Sequence, residues 1–247
     1  MKTYIINLEQ STDRREYMRQ QMQKLPQLDY EFISAVDGRV MSEEELSSHF
    51  DMKGSMYHYG RKLMKGEVGC TLSHIRCYQK IAKENDACAL ILEDDIDVNH
   101  PENIDISFIE KFLASCSKPV IVLLSGHYWY TSRYNSRMIN VFSAYYTHAY
   151  VINQAAAQLL LNKLSFPWHL ADDWFYIRSL GVKLLGLKPH WINQISTDET
   201  SMVADGTSAQ VLRGLVKRNL PLGRLAVSFY EGLMRKVLKQ VGLYEGD

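Results

Sequence analysis

Short apolar runs alternate with amphipathic stretches along this chain, and that rhythm predicts an α/β fold. Thr3–Leu8 reads as a first strand with Asn7 at its polar end. From Asp13, the residues Tyr17, Met18, Met22 and Leu25 recur at helical spacing until Pro26 stops the helix. Tyr30–Ala35 is a second strand, closed by the turn Val36-Asp37-Gly38. Residues 42–64 are polar and irregular, with Gly54 and Gly60, and predict a short helix plus a mobile loop that would act as a lid. Leu72, Ile75, Tyr78 and Ile81 then mark a helix within Thr71–Asn85. The run Ala87–Leu92 has no polar alternation, the pattern of a strand buried on both faces of a parallel sheet. Beyond it come a helix at Phe108–Cys116, a strand at Pro119–Ser125 and an aromatic loop at Gly126–Tyr130. Two strand-like runs within Ile139–Asn153 follow, then helices at Gln154–Leu164 and Trp174–Leu180, a last strand at Val182–Leu187 and a loop at Ser196–Ser208.

The central strand runs straight into Glu93-Asp94-Asp95. Ligands of open α/β sheets bind beyond the carboxyl ends of the strands, which is where this cluster falls. Three crowded carboxylates repel one another unless a cation neutralises them, and hard oxygen ligands suit Mg²⁺ or Mn²⁺. A solvated acidic turn is the plainer reading. With parallel strands, Asn7 and Leu8 after the first strand, and Asp37 and Gly38 after the second, reach the same edge. The first helix opens with Arg14 and Arg15, at a helix N-terminus suited to phosphate; solvated surface is the alternative. Lys65 and Glu67 stand near the next helix's entrance, placed to orient side chains, and His74 within that helix reads as structural. His127–Tyr130 is either a ligand wall or a cluster at the edge of the core. A second acidic pair, Asp172-Asp173, opens the Trp174 helix, where capping competes with chemistry.

Composition narrows the field. The 28 basic and 28 acidic residues balance, which sets aside a general nucleic-acid binder. Cys70, Cys77, Cys88 and Cys116 form no CxxC pair and read as buried free thiols of a reducing compartment. No leader or spanning segment is legible, so the chain is expected in the cytoplasm. Between Thr207 and Gln240 the tail carries Arg213, Lys217, Arg218, Arg224, Arg235, Lys236 and Lys239 against Glu231 alone, interleaved with apolar residues. Such a segment either lies on a membrane surface, at 208–240, or packs back on the domain as helices.

Six stretches occur in a telling order: YIINL with Arg14-Arg15, Ala35–Gly38, KGEVGCTLSH (Lys65–His74), ILEDDI (Ile91–Ile96), Thr147–Asn153 and ADDW (Ala171–Trp174). Together they resemble glycosyltransferase family 25, which includes bacterial lipooligosaccharide galactosyltransferases. The resemblance spans roughly residues 3 to 200; GExGCxLSH followed closely by LEDD is its distinctive part.

The resemblance implies a GT-A-like, single Rossmann-type domain with a central, mostly parallel sheet, taken over 1–205; the tail lies outside it, and its own charge pattern makes 206–247 a basic amphipathic helical segment. It implies transfer of galactose from UDP-galactose to a sugar hydroxyl of a glycolipid acceptor, the lipooligosaccharide or lipopolysaccharide core, with inversion and a β-1,4 linkage. Glu93, Asp94 and Asp95 would hold Mn²⁺ (or Mg²⁺) and the donor ribose, and Asp172, with Asp173 beside it, would supply the general base. Glu-Asp-Asp replaces the Asp-x-Asp of other GT-A enzymes, so which oxygens meet the metal stays open. The chemistry agrees: a diphosphate leaving group needs its growing charge stabilised, and the acceptor hydroxyl must lose a proton to a carboxylate. Transfer of another UDP-sugar (glucose or an N-acetylhexosamine), a nucleotidyltransferase or phosphohydrolase, and an inactive GT-A-like scaffold are the rival readings.

Overall fold

The apolar runs fold into one central sheet, seen here in a computed structural model that describes residues 1–98, 100–195 and 222–245. Its strands are β1 (Lys2–Asn7), β2 (Asp29–Ser34), β3 (Cys88–Glu93), β4 (Ile96–Asp97), β5 (Val120–Leu123), β6 (His127–Arg133), β7 (Met138–Tyr145), β8 (Ala149–Asn153), β9 (Lys183–Leu187), β10 (Asn193–Gln194) and β11 (Tyr244–Glu245). Its helices are α1 (Thr12–Gln23), α2 (Glu43–His49), α3 (Met52–Tyr59), α4 (Lys65–Glu84), α5 (Ile106–Ala114), α6 (Gln154–Lys163), α7 (Trp174–Ser179) and α8 (Leu222–Gln240). The main sheet has the order β11-β6-β7-β9-β5-β8-β3-β1-β2, while β4 and β10 form a separate short ribbon. Strands β1, β2, β3, β5, β6 and β9 point the same way; β8 runs against β3 and β5, and β7 and β11 oppose their neighbours. This is the α/β, single-sheet architecture expected, with most strands codirectional.

β3 shows why its sequence lacks polar alternation. Ala89 and Ile91 face one apolar layer with Tyr78, Ile81 and Leu160 from α4 and α6. Leu90 and Leu92 face the opposite layer with Met18 of α1 and Ile109 of α5. Covered on both sides, the strand can be apolar throughout. Full burial of side chains such as Met18 or Ile109 contributes about 1.5–3 kcal/mol each.

Residues 42–64 depart from expectation: a second helix replaces the mobile loop. Ser42 and Glu45 close a capping box on α2, Asp51 caps α3 by accepting from Gly54 N, and Gly60 ends it in the left-handed region (φ 66°). Leu46, Phe50, Leu63 and Val68 bury this pair against the start of α4. α4 itself starts six residues before Thr71, because Glu67 accepts from Met64 N at 2.7 Å. His127–Tyr130 belongs to a strand, with Tyr128 and Tyr130 buried, so the edge-of-core reading holds.

The expected loop at 196–208 and the basic residues Arg213, Lys217 and Arg218 lie outside the described residues. The described part of the tail returns to the sheet. β11 pairs with β6, and Glu231 and Arg235 of α8 both meet Ser143 of β7. Among the described residues, no helix is long and apolar enough to cross a membrane.

Where β2 hands over to the turn at Asp37, its backbone rests directly on α4. A Cβ at Gly69 would lie 2.4 Å from Val36 O and 2.7 Å from Gly38 N. Alanine inside a helix ordinarily gains up to about 1 kcal/mol over glycine. Here rigid backbone blocks it, and overpacking of this kind costs roughly 1–3 kcal/mol. Gly69→Ala should therefore lower the urea midpoint; a midpoint at or above that of the parent would show that the contact yields.

Candidate active site

The parallel register of β1 with β2 and β3 brings three strand ends to one edge, with Ile6 opposite both Ile33 and Glu93. They border a cleft lined by Asn7, Leu8, Arg14, Asp37, Gly38, Glu93, Asp94 and Asp95, among others. Arg14, in the first turn of α1, donates from Nη1 to Asp94 Oδ1 at 2.7 Å and stands 3.7 Å from Asp95 Oδ2. Asn7 Nδ2 donates to the other Asp94 oxygen at 2.7 Å, and Gln194 Nε2 to Asp95 Oδ2 at 3.2 Å. Arg15 holds Asn7 in place, donating from Nε to its Oδ1 at 2.9 Å, with its guanidinium 5.0 Å over the Phe32 ring. Asp37 receives a forked pair of bonds from Arg39 (2.8 and 2.7 Å), which holds its carboxyl below the usual range despite partial burial.

Like Arg15, two more expected residues flank this cleft without lining it. Lys65 Nζ donates to Met41 O at 2.6 Å, and Glu67 is clasped by Arg61 at 2.7 and 2.5 Å while capping α4. Gly66 between them forms the wall.

The acidic trio divides. Asp94 and Asp95 converge on Arg14, whereas Glu93 Oε1 accepts from Thr147 Oγ1 and faces His74 Nε2 at 3.3 Å. Burial opposes the Glu93 charge, yet its bonds from His74 and Thr147 prevail and keep its carboxyl below the ordinary value. Behind it, His74 Nδ1 meets Tyr150 OH at 2.8 Å and Tyr150 OH meets Tyr78 OH at 3.0 Å. Cys70, one turn before His74, lines the cleft; it is not the buried thiol expected. Cys77 and Cys88 are buried, while Cys116, like Cys70, is only half-buried. The sequence assigned no site role to Cys70, Thr147, Gln194 or Arg39, although Cys70 and Thr147 fall within the stretches that carry the family resemblance. Of these only Cys70 had a local signal, its spacing of four from His74 on a helix.

At the start of α7 the second acidic pair also divides. Asp173 caps the helix by accepting from Tyr176 N at 3.0 Å, and its other oxygen accepts from Tyr59 OH at 2.7 Å. Asp172 has one long bond from Tyr146 N, at 3.5 Å. Burial first, and the neighbouring Asp173 second, push its carboxyl up to about 6, with the charges of Glu67 and Glu93 close enough to add. A larger cleft opens on the Asp173 side, between α3, α7 and α8. Tyr59, Arg61, Tyr176, Arg224 and Tyr230 line it with His58, whose ring stacks on Trp168 at 3.4 Å and 7°. Asp172 itself lines neither cleft: its neighbour Asp173 lines the larger one, and the charge of Glu93, in the wall of the smaller, reaches it.

Hard carboxylate oxygens at a strand's carboxyl end make Asp94 and Asp95 a fitting donor set for Mn²⁺ or Mg²⁺. Arg14 already supplies positive charge at those oxygens. Glu93, turned toward His74, is not part of that pair.

Residues 1–176 match the model of a family described as glycosyltransferase family 25 (LPS biosynthesis protein). Over 98 residues the chain is 34% identical to procollagen galactosyltransferase 1-A of Xenopus laevis, a stretch covering 38% of this chain and 16% of that protein. Human procollagen galactosyltransferase 2 is 25% identical over 184 residues, 70% of this chain and 29% of its own length. The chain thus spans less than a third of either relative. A solved glycosyltransferase, involved in glycosylating the major capsid of PBCV-1, aligns over 87% of this chain and 97% of its own. Its TM-score of 0.32 and identity of 12% are too distant to inform the chemistry.

Proposed function

The chain belongs to glycosyltransferase family 25, and from that premise we propose that it moves galactose from UDP-galactose to a sugar hydroxyl of a glycolipid acceptor. The lipooligosaccharide or lipopolysaccharide core is the acceptor in this reading, with inversion and a β-1,4 linkage. One observation supports it: Asp94, Asp95 and Arg14 line one cleft, and Asp172, a carboxylate raised to about 6 and within reach of the Glu93 charge in that cleft, adjoins Asp173 in the wall of a second, aromatic cleft.

The donor diphosphate would lie at the N-terminal end of α1, where Arg14 meets its charge. Asp94 and Asp95 would hold Mn²⁺ (or Mg²⁺), which when bound supplies Lewis-acid stabilisation of the leaving group. The acceptor oxygen forms the new bond to the anomeric carbon as the bond to the phosphate oxygen breaks, and Asp172 takes the hydroxyl proton. A carboxylate near 6 is ionised at neutral pH yet basic enough to share that proton in the transition state. Asp173 anchors α7 and so aims its neighbour. The second cleft, with its stacked rings and Arg224, suits the sugar faces of the acceptor. Exposed Phe229, Leu233 and Val237 beside Lys236 on α8 support peripheral contact at the cytoplasmic face of a membrane.

Calorimetric titration with UDP-galactose, UDP-glucose and UDP-N-acetylhexosamines, in Mn²⁺ and then EDTA, tests this reading. Binding that requires metal and favours UDP-galactose is expected. Preference for another sugar would move the donor, and no binding to any would leave a scaffold instead of a transferase.

A further inference from the structure

We propose that Cys70, His74 and Glu93 form a second cation site, one for Zn²⁺, in the wall of the same cleft and separate from Asp94 and Asp95. Cys70 and His74 lie four residues apart on α4, so both side chains leave the same face one turn apart. Glu93 meets them from the end of β3. One ligand atom from each lies within 4.8 Å of the other two, and no other trio among the described residues is gathered this way. The ligand types are thiol, imidazole and carboxylate, the set that zinc takes and that Mg²⁺ and Mn²⁺ do not favour.

The spacing carries more than the inventory. His74 Nε2 and Glu93 Oε1 stand 3.3 Å apart, long for a charge-assisted hydrogen bond of about 2.7–2.9 Å. Two ligands bound at about 2.0–2.1 Å on a tetrahedral ion are separated by roughly 3.3–3.4 Å. The pair is therefore already at the width of a tetrahedron's edge. Outer partners are in place as well: Tyr150 OH fixes His74 at Nδ1, leaving Nε2 for the ion, and Thr147 Oγ1 orients the Glu93 carboxylate.

Charge balances in the bound state. A Cys70 thiolate and the Glu93 carboxylate together neutralise Zn²⁺, while His74 binds as the neutral ring. Without the ion the Cys70 thiol carries its proton, so binding forms the S–Zn bond and releases the Sγ proton to solvent. All three residues line the cleft, which gives the ion a path in and leaves its fourth position facing the ligand space. The site stands whether or not the cleft takes a UDP-sugar.

Co²⁺, which reports a bound thiolate by absorption, is the probe, added to the reduced full-length chain. One equivalent should produce a thiolate-to-cobalt band in the near ultraviolet with tetrahedral bands in the visible, and one equivalent of Zn²⁺ should erase both. Cys70→Ser should lose the near-ultraviolet band, whereas Cys77→Ser, Cys88→Ser and Cys116→Ser should each keep it. If Cys70→Ser does not fold, retention of the band in the other three variants assigns it to Cys70 by elimination. No thiolate band in the parent, or a band lost with any of the other three cysteines, would overturn the site.

Discussion

Asp172→Asn should abolish sugar transfer, leave donor affinity intact and make the protein more stable. The first effect follows from the proton: asparagine cannot accept it from the acceptor hydroxyl, and loss of a positioned base lowers rates by about 10²–10⁴-fold. The second follows from position, since Arg14, Asp94 and Asp95 line the smaller cleft and Asp172 lies outside that group. The third follows from the raised carboxyl. Folding moves Asp172 from an ordinary value of 3.8 to about 6, so the folded state disfavours its charge. Above pH 6 the side chain is ionised folded or unfolded, and the folded protein bears the full penalty, roughly 1–3 kcal/mol. Below about pH 4 it is protonated in both states and the penalty vanishes. Asparagine never bears it, so the variant's advantage should be full at pH 7.5 and fade as pH falls through 6 toward 4. Urea midpoints of both proteins across that range measure it. In the parent, turnover should drop as pH falls below 6. A variant that transfers sugar at the parental rate would remove Asp172 from the chemistry.

That such a residue could be named from the string depends on how local its signal was. Asp172 sits in ADDW, and the apolar run into Glu93-Asp94-Asp95 marks a strand end without any knowledge of its neighbours. Asn7 and Asp37 follow from the same logic, because parallel strands deliver their carboxyl ends to one edge. The division within each acidic pair was not legible. It depends on Tyr59, Thr147, Tyr146 and Gln194, which arrive from distant elements and leave no mark beside the acids they touch. The misjudged segment at 42–64 is different, for its helix signals were present. Ser42 with Glu45, Asp51 and Gly60 are caps, outweighed in the reading by surrounding polarity and glycine. The same early start of α4 turns Glu67 from a cleft residue into a helix cap held by Arg61. The aromatic run at 127–130 alternates inward and outward, the period of a strand, with only Tyr128 and Tyr130 in the core.

Arg14→Ala should make the protein's stability depend on divalent metal. Arg14 is three-quarters buried and is the cation that bridges Asp94 and Asp95, both of which are more buried still. Removing one partner of a buried pair costs about 3–5 kcal/mol, because the remaining charge is stranded. Solvent reaching Arg14 reduces that to roughly 1–3 kcal/mol, a fall in Tm of about 2–10 °C for a chain of this size. Mn²⁺ should reverse the fall, since a ligand at 100 times its Kd returns about 2.7 kcal/mol. The parent should respond less to Mn²⁺, because there the metal competes with a guanidinium for the same oxygens. Donor affinity should move the other way: a lost charge-assisted bond to diphosphate, worth about 1.5–3 kcal/mol, weakens UDP-galactose binding by roughly 10- to 100-fold even in saturating Mn²⁺. Thermal melts with Mn²⁺ and with EDTA, beside donor titrations, separate the two roles. If the variant melts like the parent and ignores Mn²⁺, Arg14 is not the counter-charge of Asp94 and Asp95. If melting becomes metal-dependent while donor affinity holds, Arg14 only guards the carboxylates and the diphosphate lies elsewhere.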